Sequence, residues 1–171
     1  MVKGIPEAGK LSTPGAVWKK IAVSLGFGAR SRRRHRIPVR LQKQTWDCGA
    51  ACLSMALASH GIEVSVDRLQ EETDLGRDGT SARVLLETGR KFGLQGRGVR
   101  VSLDGLHRLH PGSILYWNSS HYVVLERVAH GRVFIIDPSS GRRVLDIETV
   151  ADAFGGIAIE FHSVPGPAGS V

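Results

Sequence analysis

The sequence predicts an α+β domain in which helices come first and a mainly antiparallel sheet follows. Two patterns predict it. Apolar residues recur at helical spacing, with capping residues, in the first half of the chain, and short alternating runs separated by turn residues fill the second half. Helices segregated from strands along the chain are typical of α+β folds. The 171 residues, 42% of them hydrophobic, are enough for one domain with a substantial core.

The predicted helices lie in the first half of the chain. The elements expected there are one extended stretch and three helices, at residues 37–41, 50–58, 67–73 and 81–92. Asp47 is a suitable N-cap for the first helix, and Gly61 is a suitable residue to end it. Either Thr80 or Ser81 would open the third helix, and Gly93 would end it.

The second half of the chain is predicted to consist mainly of strands. Five strands, one short helix and a last strand are expected, at residues 95–101, 113–117, 121–128, 132–136 and 142–146, then 147–154, then 157–161. The runs Asn-Ser-Ser and Pro-Ser-Ser-Gly separate neighbouring strands and favour tight turns. Short connections of this kind predict antiparallel neighbours.

Positive charge is concentrated at the start of the chain. Residues 1–40 contain ten lysines and arginines against one acidic residue, Glu7, whereas residues 41–171 contain thirteen basic and fifteen acidic residues. The formal net charge of +7 therefore belongs to an appendage and not to the body of the protein. We predict three parts: a basic extension at residues 1–36, a domain at residues 37–163 and a flexible tail at residues 164–171.

The basic extension contains one amphipathic pattern. Trp18, Ile21, Ala22 and Leu25 recur at helical spacing beside two lysines. The pattern predicts a short helix and a contact of residues 1–36 with an anionic membrane surface. A solvated tail explains the composition equally well.

The chain shows no secretion signal and few cysteines. It contains neither a signal peptide nor an apolar run of about 18 residues, so a cytoplasmic location in a reducing compartment is expected. Cys48 and Cys52 are four residues apart. In a helix their Cβ atoms would be about 5 to 6 Å apart, farther than the roughly 4 Å of a disulfide.

Three residues together suggest a chemistry: Cys48, His121 and Asp137. A nucleophilic cysteine acts as a thiolate, and a helix N-terminus with a neighbouring histidine favours that form. Cys48 stands where the first helix should begin. His121 opens the most strand-like run, and Asp137 ends the following strand sixteen residues later. Hairpin pairing would bring the carboxylate to the histidine, which is how an imidazole tautomer is fixed.

Each of these residues has an ordinary structural explanation when it is taken alone. A cysteine in an apolar helix is usually a small buried hydrophobic residue, and that is our interpretation of Cys52. His121 alone would suit a surface position at a strand end, and Asp137 alone would start a turn. The specificity of the prediction therefore comes from the combination.

Several segments occur together in a consistent order: QKQTWDCGAACLSM, GRDGTSA, HYVVLERV, VFIIDPSSG and AFGGIAIEF. In that order they resemble the bacteriocin-processing leader peptidases, the papain-like N-terminal domains of peptidase-containing ABC transporters. The resemblance spans about residues 37–162. It implies a papain-like fold in which N-terminal helices carry the cysteine and an antiparallel sheet carries the histidine and the aspartate.

The resemblance also implies site residues and partners. Cys48 would be the nucleophile, His121 the general base and then acid, and Asp137 the residue that orients His121. Gln42 matches the family's oxyanion-hole glutamine, whereas Gln44 has the wrong spacing. The implied substrate is a precursor peptide with a helical leader, cut after a small pair such as Gly-Gly or Gly-Ala. The implied partner is an ABC transporter, in the same or a separate chain, at the cytoplasmic face of the inner membrane.

A second function remains open at this point. Most members of the family continue into transmembrane helices and a nucleotide-binding domain, so we expect either a stand-alone peptidase or an excised domain. Some members that lack the cysteine keep only leader recognition, and this chain could likewise tether a leader without cutting it. Retention of Cys48, His121, Asp137 and Gln42 favours the peptidase.

Three further functions have less support. The run RSRRRHR lacks the interleaved aromatic residues of a nucleic-acid-binding module, so no nucleic acid is expected. The segment GIPEAGKL resembles a phosphate-binding loop, but Leu11 replaces the Ser or Thr that holds magnesium. The two cysteines and the scattered histidines, His60, His107 and His110, do not have zinc-site spacing. We therefore expect neither a metal nor another cofactor.

Overall fold

The computed structural model describes residues 36–73 and 79–163 of the chain. The amphipathic pattern of the basic extension, the tail at residues 164–171 and part of the GRDGTSA segment lie outside the described residues. None of the helices in the described part is long and apolar enough to cross a membrane.

The described residues form four α-helices and six β-strands. The helices are α1 (Cys48–Ser59), α2 (Val66–Thr73), α3 (Ala82–Lys91) and α4 (Ile147–Ala153), and short 3₁₀ helices cover Thr45–Asp47 and Leu103–Arg108. The strands are β1 (Leu94–Arg100), β2 (Ile114–Trp117), β3 (His121–Ala129), β4 (Arg132–Asp137), β5 (Gly141–Asp146) and β6 (Phe154–Ser163). Residues 37–41 are not part of a strand.

Helix α1 is buried along almost its whole length. Its C-terminal end has the hydrogen-bond pattern of a Schellman motif: the Ile62 amide donates to the Leu57 carbonyl and the Gly61 amide donates to the Ala58 carbonyl, both at 3.0 Å. Gly61 adopts a φ of 79°, a left-handed conformation that glycine adopts at no steric cost. The prediction that Gly61 ends this helix is confirmed.

The N-terminal end of α1 differs from the prediction. Asp47 occupies the N-cap position, but its side chain makes no capping hydrogen bond to α1. Its Oδ2 atom instead accepts a hydrogen bond from the Gln44 amide at 2.9 Å, within the preceding 3₁₀ turn. The short 3₁₀ helix was not predicted, and it explains why the carboxylate faces backward along the chain.

Helix α3 begins and ends as predicted. Of the two candidate N-caps, Ser81 is the one used, because its Oγ atom accepts a hydrogen bond from the Val84 amide at 3.3 Å. Gly93 follows the helix with a φ of 88°. Helix α3 then passes directly into β1.

The six strands form one sheet in the order β1-β6-β2-β3-β4-β5, and every neighbouring pair is antiparallel. Helices α1 to α3 precede the sheet in the sequence, so the predicted α+β class is confirmed. The last strand is longer than predicted at both ends, and Phe154, expected in the preceding helix, pairs with Trp117 in the sheet.

Two hydrophobic cores lie on opposite faces of the sheet. The first packs α1 to α3 against the sheet and includes Leu53, Leu57, Leu85, Val124 and Ile136. The second includes the 3₁₀ helix Leu103–Arg108 and α4, through Leu106, Val123, Ile135 and Val150. The central strands are therefore buried on both faces, and the ends of β3 and β4 are held rigidly next to α1.

Candidate active site

Cys48 is the first residue of α1, and its side chain is nearly buried, with 5% of its surface exposed. The first amides of a helix have no intrahelical partners, and the helix dipole favours negative charge at this end. The 3₁₀ helix Thr45–Asp47 leads the chain directly to this position. The sequence prediction of a cysteine at a helix N-terminus is confirmed by the geometry.

His121 and Asp137 come from adjacent strands. His121 begins β3 and Asp137 ends β4, and the antiparallel pairing of these strands brings the two side chains together. The Nε2 atom of His121 lies 2.9 Å from Oδ1 of Asp137. The aspartate side chain is 7% exposed and the histidine side chain 21%. The carboxylate is therefore shielded, while the imidazole remains accessible.

The imidazole also contacts the thiol of Cys48. A hydrogen bond with Cys48 is the largest influence on the pKa of His121 and raises it, burial opposes the rise, and the hydrogen bond with Asp137 adds to it. Together these influences hold the pKa of His121 above its ordinary value. When Nε2 carries a proton toward Asp137, Nδ1 is the nitrogen left to accept one from the thiol. His121 thus forms a 2.9 Å hydrogen bond with Asp137 and is close enough to Cys48 for the thiol to raise its pKa.

Asp137 has partners that the sequence analysis did not identify. The amide and the hydroxyl of Ser139 both donate to Oδ1, at 2.9 and 2.7 Å, and Arg143 approaches Oδ2 at 3.6 Å. Burial alone would raise the pKa of Asp137, but the hydrogen bonds from His121 and Ser139 outweigh it, and the pKa is lowered. The sequence signal was the Asp-Pro-Ser turn, in which a side chain bonds to the backbone two residues on.

Gln42 lies between the cysteine and the aspartate segments. Its backbone amide donates to the carbonyl of Pro138 at 2.8 Å, which ties the segment before α1 to the turn after β4. Its side-chain Oε1 atom is buried and makes no hydrogen bond to the described residues. Gln44, by contrast, is exposed. The buried side-chain oxygen and the backbone hydrogen bond to Pro138 therefore distinguish Gln42 from Gln44.

A cleft of about 700 Å³ opens onto Cys48. One wall comes from the start of α3 and the residues before it, and the other from the β2–β3 hairpin. The lining residues are Thr45, Trp46, Cys48, Gly79, Thr80, Ser81, Ala82, Tyr116, Ser119, Ser120, Tyr122, Ile157 and Ile159. A cleft of this size accommodates several residues of an extended peptide.

The β2–β3 hairpin turn in this wall is conformationally fixed. Asn118 and Ser119 both have positive φ values, 45° and 58°, as a two-residue type I′ turn requires. The hydroxyl of Tyr116 donates to the carbonyl of Ser119, and its ring lies 5.6 Å from that of Tyr122. Burial, with smaller electrostatic contributions, raises the pKa of Tyr122 to about 12. Both tyrosines line the cleft.

The second cysteine differs from the first. Cys52 is completely buried one turn further along α1, and both thiols are free. Burial, followed by the nearby Cys48 and Asp137, raises the pKa of Cys52 well above its ordinary value. Our interpretation of Cys52 as a small core residue agrees with this position.

The model of the peptidase C39 family matches residues 36–165. The chain is 35% identical over 129 residues to the probable microcin-H47 secretion/processing ATP-binding protein MchF of Escherichia coli. It is 32% identical over 129 residues to the colicin V secretion/processing ATP-binding protein CvaB of the same species. Each match covers 75% of this chain but 18% of the relative, so the chain spans only a small part of these proteins.

Solved structures give the same fold. The structure of a double glycine motif protease from an AMS/PCAT transporter, in complex with its leader peptide, matches with a TM-score of 0.72 and 31% identity, over 78% of this chain and 96% of the other. The peptidase domain of Streptococcus ComA matches with a TM-score of 0.69 and 22% identity, over 75% and 99%. The predicted papain-like α+β fold is confirmed.

Proposed function

Because the chain belongs to the peptidase C39 family, we propose that it is a cysteine endopeptidase that removes leader peptides from bacteriocins or other ribosomally made secreted peptides. Cleavage would follow a small pair of the Gly-Gly or Gly-Ala type and would be coupled to export. The double glycine motif protease, 31% identical to this chain, supports this substrate class. The names of the curated relatives, which describe secretion and processing, support it as well.

The observation that carries this proposal is the grouping of Cys48, His121 and Asp137, in which His121 bonds to Asp137 at 2.9 Å and interacts with the Cys48 thiol. Nucleophile, base and orienting carboxylate come from three elements, α1, β3 and β4, and Cys48 lines the cleft. Such an arrangement activates a weak nucleophile by proton transfer to the base. We assign the three residues these roles.

The reaction would proceed through an acyl-enzyme. His121 takes the proton of the Cys48 thiol, and the thiolate sulfur attacks the scissile carbonyl carbon. His121 then gives the proton to the leaving amide nitrogen as the C–N bond breaks. A water molecule, deprotonated by His121, hydrolyses the thioester and restores the thiol. Asp137, held by Ser139, keeps the imidazole in one orientation and stabilises its charged form.

The developing oxyanion needs hydrogen-bond donors. The backbone amide of Cys48 and the side-chain amide of Gln42 are the proposed pair. The buried Oε1 atom of Gln42 and the backbone bond of this residue to Pro138 support a fixed geometry. Loss of such a donor costs about 3 to 4 kcal/mol of transition-state stabilisation in other proteases.

The remaining assignments concern domains and partners. We propose that residues 37–163 are the peptidase domain, with residues 1–36 and 164–171 as attachments. The proposed partners are a precursor with a helical leader and an ABC transporter, in this or another chain. The site of action would be the cytoplasmic face of the inner membrane. Contact of residues 1–36 with that membrane stays a prediction, which liposome co-sedimentation with and without these residues would test.

The direct test is cleavage of a synthetic precursor. Purified protein and the Cys48→Ala variant are incubated with a peptide that carries a Gly-Gly leader, and the products are identified by mass spectrometry. Cleavage after the glycine pair by the unmodified protein alone is expected. If both proteins bind the leader and neither cuts it, a tethering module is the correct function. A second peptide with bulky residues at the two positions before the cut should resist cleavage.

A further inference from the structure

A second concave surface lies on the sheet and shares no lining residue with the cleft. It is a groove of about 310 Å³ lined by Arg36, Glu126, Arg127, Phe134, Arg142, Arg143 and Val144. We call it the arginine groove. Its residues come from β3, β4 and β5 and from the segment before α1, so a regular motif in the sequence does not reveal it.

The arginine groove carries a positive charge. Four arginines and one glutamate line it, which gives a formal charge of +3. Arg142 donates to Oε1 of Glu126 at 3.0 Å and also to the carbonyl of Ile37, so this pair is internally satisfied. Arg36 and Arg127 are exposed and make no ion pair with the described residues. Two guanidinium groups are therefore available to a partner.

The free guanidinium of Arg127 is preorganised. Its central carbon lies 3.6 Å from the centroid of the Phe134 ring, an arrangement that fixes the plane of the guanidinium group. A fixed planar fork matches the two oxygens of a carboxylate and loses less entropy on binding than a mobile lysine would. Val144, 48% exposed, adds an apolar contact beside it.

The surroundings narrow the choice of occupant. Arg30, Arg32, Arg33 and Arg34 precede the groove in sequence, and like charge makes this segment a poor occupant. A bilayer surface is flat and would lie across a concave groove without entering it. Arg143 lines the groove and also approaches Asp137 at 3.6 Å, so one residue of the groove contacts a candidate catalytic residue. This contact favours the precursor peptide as the occupant.

We propose that the arginine groove binds an acidic segment of the precursor peptide, outside the residues that are cut. This assignment rests on the proposed peptidase function and adds an electrostatic contribution to substrate recognition. Aspartate or glutamate side chains of the precursor would pair with Arg127 and Arg36, and the apolar edge at Val144 would contact their methylene groups.

The first experiment measures binding and does not depend on cleavage. Fluorescein-labelled octaglutamate and octaglutamine are titrated with the full chain at physiological ionic strength, and anisotropy gives the Kd. Octaglutamate should bind more tightly. Arg127→Gln should weaken octaglutamate binding about fivefold or more, the expected loss of one charge-assisted contact, and Arg127→Lys should lose less.

The matched control is Arg90→Gln, which removes an equal charge from an exposed arginine on α3. It should change the affinity for octaglutamate by less than about 1.5-fold, since long-range attraction to net charge is screened at this ionic strength. Equal losses in Arg127→Gln and Arg90→Gln would overturn the proposal. So would loss of binding to phosphatidylglycerol vesicles in Arg127→Gln with peptide binding retained, which would assign the groove to lipid.

A second experiment connects the groove to cleavage. Two synthetic Gly-Gly precursors are compared that differ only in eight leader positions, glutamate in one and glutamine in the other. The acidic precursor should have the lower KM, and this advantage should shrink in Arg127→Gln and persist in Arg90→Gln. Equal KM values in the unmodified protein would reject the groove and leave the peptidase function standing. Cleavage of neither precursor would count against the peptidase function, and the anisotropy assay would still decide the groove.

Discussion

The two ends of helix α1 are built differently. At the C-terminal end, Gly61 and Ile62 donate to the last free carbonyls in a complete Schellman motif. At the N-terminal end, Asp47 does not cap the helix, and buried oxygens of Asp47, Gln42 and Thr80 make no hydrogen bond within the described residues. Unsatisfied buried polar groups lower the free energy of unfolding, so the N-terminal end should stabilise the fold less than the C-terminal end does.

The two ends of this twelve-residue helix therefore have different roles. One end contributes to folding stability, and the other lies beside the candidate catalytic cysteine. The C-terminal end closes the helix, and the N-terminal end leaves amides and side-chain oxygens next to Cys48 and the cleft. The first amides of a helix have no intrahelical partners, and those of α1 lie beside Cys48. We therefore expect changes at the N-terminal end to affect cleavage and changes further along α1 to affect folding.

The largest expected effect distinguishes the two cysteines of α1. Cys48→Ala should lower kcat/KM by at least about 10⁴-fold, because the nucleophile is lost. Cys52→Ala, one turn further along, should retain cleavage and lower the free energy of unfolding by about 1 kcal/mol, because removal of a buried sulfur leaves a small cavity. Peptide cleavage and urea denaturation measure the two quantities.

The reverse pattern would contradict the comparison. If Cys52→Ala abolished cleavage while its unfolding free energy was unchanged, the second thiol would belong to the site and not to the core. Alkylation with iodoacetamide provides an independent check. Only Cys48 should react in the folded protein, since Cys52 is completely buried and its thiol pKa is raised.

The second prediction concerns the two glutamines before α1. Gln42→Ala should lower kcat by about 10² to 10³-fold, the usual effect of removing an oxyanion donor. Gln44→Ala should change kcat by less than about twofold, because Gln44 is exposed and its bond to Asp47 uses the backbone amide. The pair is matched in chemistry and is two residues apart. Equal effects on kcat would remove Gln42 from the oxyanion site.

Much of the fold could be predicted because its elements have strong local signals. Ser81 begins α3 and Gly61 ends α1 through capping patterns that involve only neighbouring residues. The 3₁₀ helices Thr45–Asp47 and Leu103–Arg108 were not predicted, since such short elements carry no hydrophobic periodicity. The first of these 3₁₀ helices turns the Asp47 carboxylate away from α1.

The candidate site likewise contains residues that the sequence predicts and residues that it does not. Cys48, His121, Asp137 and Gln42 could be named because they belong to motifs with fixed order. The sequence analysis did not name Ser139, although the Asp-Pro-Ser turn signals its contact with Asp137. It could not name Arg143, because the contact of Arg143 with Asp137 depends on the position of β5 beside β4. Residues recruited from different strands leave no spacing in the sequence, and the arginine groove is the extreme case.

The third prediction tests Ser139. Ser139→Ala removes the hydroxyl that donates to Asp137 at 2.7 Å and keeps the amide that donates at 2.9 Å. A less firmly held carboxylate should lower kcat/KM about fivefold and the free energy of unfolding by about 1.5 to 3 kcal/mol at pH 7, the value of one hydrogen bond to a charged group. Ser140→Ala is the control, because its contact with Asp137 is between backbone atoms.

The stability difference between Ser139→Ala and the unmodified protein should depend on pH. The pKa of Asp137 is lowered in the folded protein, so its stabilisation is present above the ordinary pKa and is lost as the pH falls through the folded-state value. Removing the hydroxyl raises that pKa toward its ordinary value. The difference in unfolding free energy should therefore be complete at pH 7 and vanish in acid. A difference that is constant with pH would indicate a packing effect.

The smallest expected effect is at the C-terminal end of α1. Gly61 has a φ of 79°, and a methyl group on its Cα would have no atoms within 4 Å, so a side chain there meets only backbone strain. Gly61→Ala should therefore lower the free energy of unfolding by about 1 kcal/mol, and Gly61→Asn by less, because asparagine tolerates the left-handed region. Cleavage should be unchanged in both variants. Urea denaturation together with kcat/KM tests this, and a change in cleavage without a change in stability would show that the C-terminal end of α1 also serves the chemistry.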